Sequence, residues 1–184
     1  MKCIAFLLAL LCLSGCGGEN PELKRAMDLR AKLLTSSVSF DAEITADYGS
    51  EIHTFSVYCE GDTQGNLGFR VTAPETIADI TGRIEAGEGK LTYRDTVLAF
   101  PLLAEDQLSP VSSPWIFYKT LRGGYLTSAG REDDLIRLTI DDSYEEDALT
   151  VDIWLDKTDT PIRAEILYDG RRILTLAIKN FQMV

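Results

Sequence analysis

SVSFDAEITADY, residues 37–48, alternates polar and apolar side chains without a break. Val38, Phe40, Ala42, Ile44, Ala46 and Tyr48 fall on one phase, and Ser, Asp, Glu and Thr on the other. A period of two places successive side chains on opposite faces of a strand, so one face is buried and the other wet. The same alternation recurs at 55–59, 67–71, 80–86, 136–140, 149–155, 162–168 and 174–178, with shorter strands expected at 91–93 and 97–100. Turn residues separate these runs: Gly49-Ser50, Gly61-Asp62 to Gly65, Gly87-Glu88-Gly89, 158–161 and Asp169-Gly170. Asp-Gly is a two-residue hairpin signal. Short connections make neighbours antiparallel. The fold class is mainly β (α+β): a curved antiparallel half-barrel of about ten to eleven strands, one face apolar, with helices covering the open apolar face.

A one-sided sheet needs a cover, and the sequence offers two helices. Asn20-Pro21 reads as an N-cap followed by proline at the first helical position. From Leu23 onward Ala26, Met27, Leu29, Leu33 and Leu34 recur at helical spacing and form one broad face. Arg30 falls within that face, where it either snorkels or pairs with a core carboxylate, or points into a cavity. The second helix starts at Ser112-Ser113-Pro114 and runs to Gly123-Gly124. Its apolar residues Trp115, Ile116, Phe117, Tyr118 and Leu121 surround the axis, so it must be covered on more than one side or offer apolar surface to a ligand. A loop over 100–111 leads into it.

The N-terminus carries a different message. Residues 3–13 are uncharged, follow Lys2, and end at Leu13-Ser14-Gly15-Cys16. Eleven residues are too few to span a bilayer, but they suit the apolar core of a secretory signal peptide. The expected division is a signal peptide over 1–15, a lipidated Cys16 with a tether to residue 20, and a folded domain over 21–184. Leu13-Ser14-Gly15-Cys16 resembles the lipobox of bacterial lipoproteins. That resemblance implies a diacylglyceryl group on the Cys16 thiol, cleavage just before it, and an acyl (palmitate-type) membrane anchor. Two chains hold firmly where one holds marginally.

The chain has a net charge of −11, and Lys2 is the only charge in residues 1–15. This balance argues against nucleic acid and against broad contact with anionic lipid. Cys3 and Cys12 leave with the signal, so Cys59 stands alone and reads as a small buried core residue. His53 is the only histidine and reads as a solvated strand residue. No cofactor, metal site, catalytic triad or phosphate loop is expected, and the protein is not read as an enzyme. The acidic run Asp141-Asp142-Ser143-Tyr144-Glu145-Glu146-Asp147 reads as a solvated hairpin tip rather than a calcium loop.

Lipobox, N-terminal helix, long meander, mid-chain helix and final hairpins together resemble the LolA/LolB superfamily of lipoprotein-sorting carriers and receptors. Phe69-Arg70-Val71-Thr72-Ala73-Pro74-Glu75, Val151-Asp152-Ile153-Trp154-Leu155-Asp156 and Thr160-Pro161-Ile162-Arg163-Ala164-Glu165 carry it. Lipoproteins of this kind include spore germination lipoproteins. The resemblance implies an unclosed barrel around a cavity that takes acyl chains. Candidate cavity and lid residues are Phe40, Phe55, Phe69, Tyr93, Trp115, Phe117, Arg30 and Arg70. The expected function is a membrane-anchored module on the extracytoplasmic face of the cell envelope that binds an acyl chain, a lipoprotein or another hydrophobic ligand. The alternative is a non-catalytic interaction protein that docks or regulates a cell-wall enzyme.

Overall fold

In a computed structural model the described residues are 20–93, 96–100, 103–104, 107–145 and 148–184. Cys16 and the segment before it lie outside them. Helix α1 spans Pro21–Leu33. Asn20 Oδ1 accepts from the backbone N–H groups of Glu22 and Leu23, as the Asn-Pro pair leads one to expect. Five strands follow: β1 (Val38–Asp47), β2 (Ile52–Gly61), β3 (Leu67–Ala73), β4 (Thr81–Glu85) and β5 (Glu88–Tyr93). Next come β6 (Thr96–Phe100) and a two-stranded pair, β7 (Leu103–Ala104) with β8 (Gln107–Leu108). Helix α2 occupies Ser113–Gly123. The chain closes with β9 (Tyr125–Glu132), β10 (Leu135–Asp141), β11 (Thr150–Leu155), β12 (Pro161–Tyr168) and β13 (Arg171–Met183).

Eleven strands form one antiparallel sheet in the order β6-β5-β4-β3-β2-β1-β13-β12-β11-β10-β9. The sheet does not close; β6 and β9 are its edges. Asp169 and Gly170 both have positive φ at the β12–β13 turn, the geometry an Asp-Gly hairpin requires. Register shifts interrupt five of the pairings, at Ser39/Asp41, Ser56/Val57, Thr139/Ile140, Trp154/Leu155 and Ile166/Leu167. Such bulges bend a strand and increase its twist.

The sheet curls round α2. That helix contacts β3 and also β10, β11, β12 and β13. In a flat sheet β3 and β10 would lie about 29 Å apart at the usual strand spacing, whereas an eleven-residue helix is about 16 Å long. Ile116, Phe117, Tyr118 and Leu121 of α2 are all buried. The all-round apolar helix is thus covered on more than one side, by the sheet and by α1. Helix α1 buries a narrower stripe than its sequence suggests: Ala26, Leu29, Arg30 and Leu33 are inside, while Leu23, Met27 and Leu34 are exposed. It lies against edge strand β9 and α2, so only the stripe facing them is covered. Asn20 Nδ2 donates to Ala129 O and Arg131 pairs with Glu22, which caps that edge.

Among the described residues no helix is long and apolar enough to cross a membrane.

Candidate functional site

The covered face of the sheet is best followed along rows of directly paired residues. One row runs Ile44–Leu176–Ala164–Ile153–Leu138 across β1, β13, β12, β11 and β10, and every member is fully buried. A second row runs the other way, Phe40–Cys59–Phe69–Gly82–Leu91–Leu98, across β1 to β6. Here burial fades with distance from the helices. Phe40, Cys59 and Phe69 are buried, Gly82 and Leu91 are half-buried, and Leu98 is 59% exposed. Neighbouring apolar side chains on this part of the sheet and on the β3–β4 connection, Phe55, Ile77, Ile80 and Tyr93, are half-buried too.

Of the residues singled out in the sequence, Phe40, Phe69 and Phe117 belong to the packed core. The Phe40 and Phe117 rings meet edge to face with centroids 5.6 Å apart, and Phe181 stacks on Phe40 at 5.8 Å. The Phe69 ring occupies the space that a side chain at Gly82 would fill. Phe55 and Trp115 are half-buried and packed against this core, and Tyr93 is half-buried on β5. Trp115 Nε1 donates to Gly65 O at 3.2 Å, which ties α2 to the β2–β3 hairpin. Tyr118 Oη donates to Asp62 O at 2.6 Å in the same hairpin.

Arg70 is corrected as a cavity cation. It is exposed on the outer face, with its guanidinium 5.9 Å from the Tyr58 ring centre. The reason is the strand period: Phe69 and Val71 point inward, so Arg70 points out. Arg30 is buried, and Nη2 reaches Thr120 O at 3.4 Å. It forms no ion pair with a carboxylate among the described residues.

Cys59 is buried, and burial pushes its thiol well above the ordinary value, which suits packing and not reactivity. His53 is exposed beside Glu51. In the acidic run Asp141 accepts from Thr150 Oγ1 and Asp142 from the Leu149 N–H; Glu146 and Asp147 lie outside the described residues. Among the described residues no group of His, Cys, Asp and Glu is placed to hold a metal.

The outer face holds a cluster that the sequence reading missed. Arg137, Trp154 and Arg163 are directly paired across β10, β11 and β12. The two guanidinium carbons lie 5.3 and 4.6 Å from the indole centre. Trp154 Nε1 donates to Glu132, Asp152 accepts from Arg137 and Thr139, and Glu165 accepts from Arg163 and Arg172. Asp152 and Trp154 stand on the outward phase of Val151–Leu155, so their direction was legible; their burial by arginines from neighbouring strands was not.

No family model matches the sequence, and none of the curated proteins matches it. Solved structures do resemble it. A LolA superfamily protein of Nitrosomonas europaea is 10% identical, with 85% of this chain and 92% of that chain covered and a TM-score of 0.47. An uncharacterized conserved protein of Thermus thermophilus is 14% identical, with 88% and 87% covered and a TM-score of 0.47. The lipoprotein LppX of Mycobacterium tuberculosis is 14% identical, with 88% and 93% covered and a TM-score of 0.42. Structures of LolA type are therefore among those this chain resembles, and at these values no role passes from them to it.

Proposed function

We propose that this protein is a membrane-anchored lipoprotein of the cell envelope whose half-barrel takes an acyl chain or a similar hydrophobic ligand along the inner face of β3–β6. The supporting observation is the burial gradient along Phe40–Cys59–Phe69–Gly82–Leu91–Leu98. Apolar side chains left half-covered on an inner face favour binding an apolar molecule, because each square ångström removed from water contributes about 25 cal/mol. Phe55, Tyr93 and Trp115 line the approach in this reading, and Phe40, Phe69 and Phe117 form its floor. Cys16 supplies the anchor, with residues 1–15 removed as a signal peptide. A Cys16→Ser substitution should release the protein from the membrane fraction.

Native mass spectrometry of the gently purified protein tests the ligand. Extra mass of lipid size, lost on denaturation and absent from a Leu91→Asp/Leu98→Asp variant, is the expected result. A bare protein that also ignores an apolar fluorescent probe would reject it. The second reading is an interaction protein that docks or regulates a cell-wall enzyme. It is favoured by the fully buried row Ile44–Leu138 and the Phe40–Phe117 contact, which fill the helix-covered half with the protein's own side chains.

A further inference from the structure

Arg30 is out of place by ordinary rules. Only 9% exposed, its guanidinium has one long hydrogen bond, to Thr120 O, and its Nε has no partner. Thr120 is also buried and its Oγ1 has no partner either. A buried cation without a carboxylate is costly, and an unsatisfied buried donor needs an explanation. Burial pushes the Arg30 guanidinium below its ordinary value, with no neighbouring charge among the causes.

Thr120 also forms part of the wall of an open cleft of about 630 Å³. The cleft lies between the ends of both helices, at Leu34 and Gly123-Gly124, and the tips of the β2–β3 and β4–β5 hairpins. Lys119 and Arg122 line it. Lys119 is exposed, and its Nζ stands 5.1 Å from the Trp115 ring centre. Arg122 donates to two backbone carbonyls, Leu33 O and Thr63 O. Among the described residues none of Arg30, Lys119 and Arg122 is in an ion pair, whereas Arg25, Arg83, Arg131, Arg137, Arg163 and Arg172 all are. In a chain of net charge −11, two cations outside any ion pair, Lys119 and Arg122, line this cleft, and Arg30 reaches its wall through Thr120 O. The carboxylate on its wall, Asp142, is engaged by the Leu149 N–H.

We propose that this cleft binds a phosphate group, held by Lys119 and Arg122, with Thr120 in the wall and Arg30 behind it completing its charge and hydrogen bonding. Guanidinium and ammonium groups together suit phosphate oxygens. The half-buried Trp115 gives the cleft an apolar side against which the rest of the ligand rests. The cleft shares Trp115 with the approach to the apolar strip on β3–β6 but none of the strip's strand residues, and each reading is tested on its own variants.

Basic residues at helix C-termini also offset the helix dipole, so the test reads something that role would not move. Thermal unfolding is followed while inorganic phosphate is added, against sodium chloride at equal ionic strength. The expected result is a saturable rise in Tm with phosphate only. Lys119→Gln, an exposed change, should weaken phosphate at least tenfold while lowering the Tm of the free protein only slightly, through the lost contact with the Trp115 ring. Arg30→Met should raise that Tm, by removing an uncompensated charge, and abolish the phosphate response. Dodecyl phosphate below its micellar concentration identifies the source. Binding ten times tighter than inorganic phosphate indicates a lipid headgroup, and equal binding a soluble phosphate; either supports the site. Phosphate acting like chloride, or binding equally to wild type and Lys119→Gln, overturns it.

Discussion

The two halves of the sheet share one alternating pattern and end in different states. From β1 across β13 to β10 the inward row is sealed, and Ile44, Leu176, Ala164, Ile153 and Leu138 have no exposure. On the β3–β6 side the same phase leads from buried Phe69 to Leu98, more than half exposed. The strands themselves do not differ enough in composition to explain this. What differs is cover: α2 contacts β3 and β10–β13. An apolar strand face is a demand for a partner, and in this fold two helices meet it over only part of an eleven-stranded sheet.

Truncation should separate the halves most sharply. Phe117→Ala or Phe40→Ala should cost about 3–5 kcal/mol, measured by urea unfolding. Leu98→Ala should cost less than about 1 kcal/mol, since most of its surface is already in water. Equal losses at Phe117 and Leu98 would remove the distinction between a filled and an open half. At the boundary between them, Gly82→Ala should cost about 1–3 kcal/mol, because the Phe69 ring must leave the place the new methyl takes.

The outer face tests whether the comparison concerns the inner face alone. Asp152→Ala removes the acceptor for Arg137 and Thr139 and should cost about 1–3 kcal/mol. It should leave binding of an apolar probe unchanged; lost binding would show that the two faces are coupled. A smaller change of opposite sign is expected at the β4–β5 turn. Ala86 has φ of +49°, and Ala86→Gly should raise stability by up to about 1 kcal/mol by relieving that conformation.

The smallest expected effect is a pH response. Burial pushes the Asp62 carboxyl up, but hydrogen bonds from the Asn66 side chain and from the backbone of Asn66, Gln64 and Gly65 bring it below its ordinary 3.8. Asp156 behaves alike, through Thr158 and Thr160. A carboxyl lowered in the folded state stabilises fully above its unfolded value. That contribution is lost as pH falls from 3.8 through the lower folded-state value. Asp62→Asn keeps the turn's acceptor and should flatten the acid limb of a stability profile taken below about pH 4. An unchanged limb would place the acid sensitivity elsewhere.

Much of this was legible in local patterns. The strand phases assigned Val38, Phe40, Ala42, Ile44 and Ala46 to the core, and all are buried. The same phase rule sends Arg70 outward, since Phe69 and Val71 are inward. Asn20-Pro21 marked the start of α1, and Asp169-Gly170 the last hairpin. Leu23 and Met27 of α1 were misleading, because helical periodicity shows which residues share a face without saying how wide a neighbour will be. The Arg137–Trp154–Arg163 stack and the Arg30–Thr120 contact unite residues from different elements. No spacing along the chain signals either.

By itself the sequence determined where both helices and ten of the strands run, their turn chemistry and the inward phase of those strands, because these depend on backbone preferences and a period of two or 3.6 residues; it missed edge strand β9, the short β7–β8 pair within the expected 100–111 loop, and the full length of β2 and β13. Only the tertiary structure decided where the cover ends and which charges go unpaired. Those depend on which distant elements the curl of the sheet brings together: α2 against β3 and β10, and the ends of both helices against two hairpin tips.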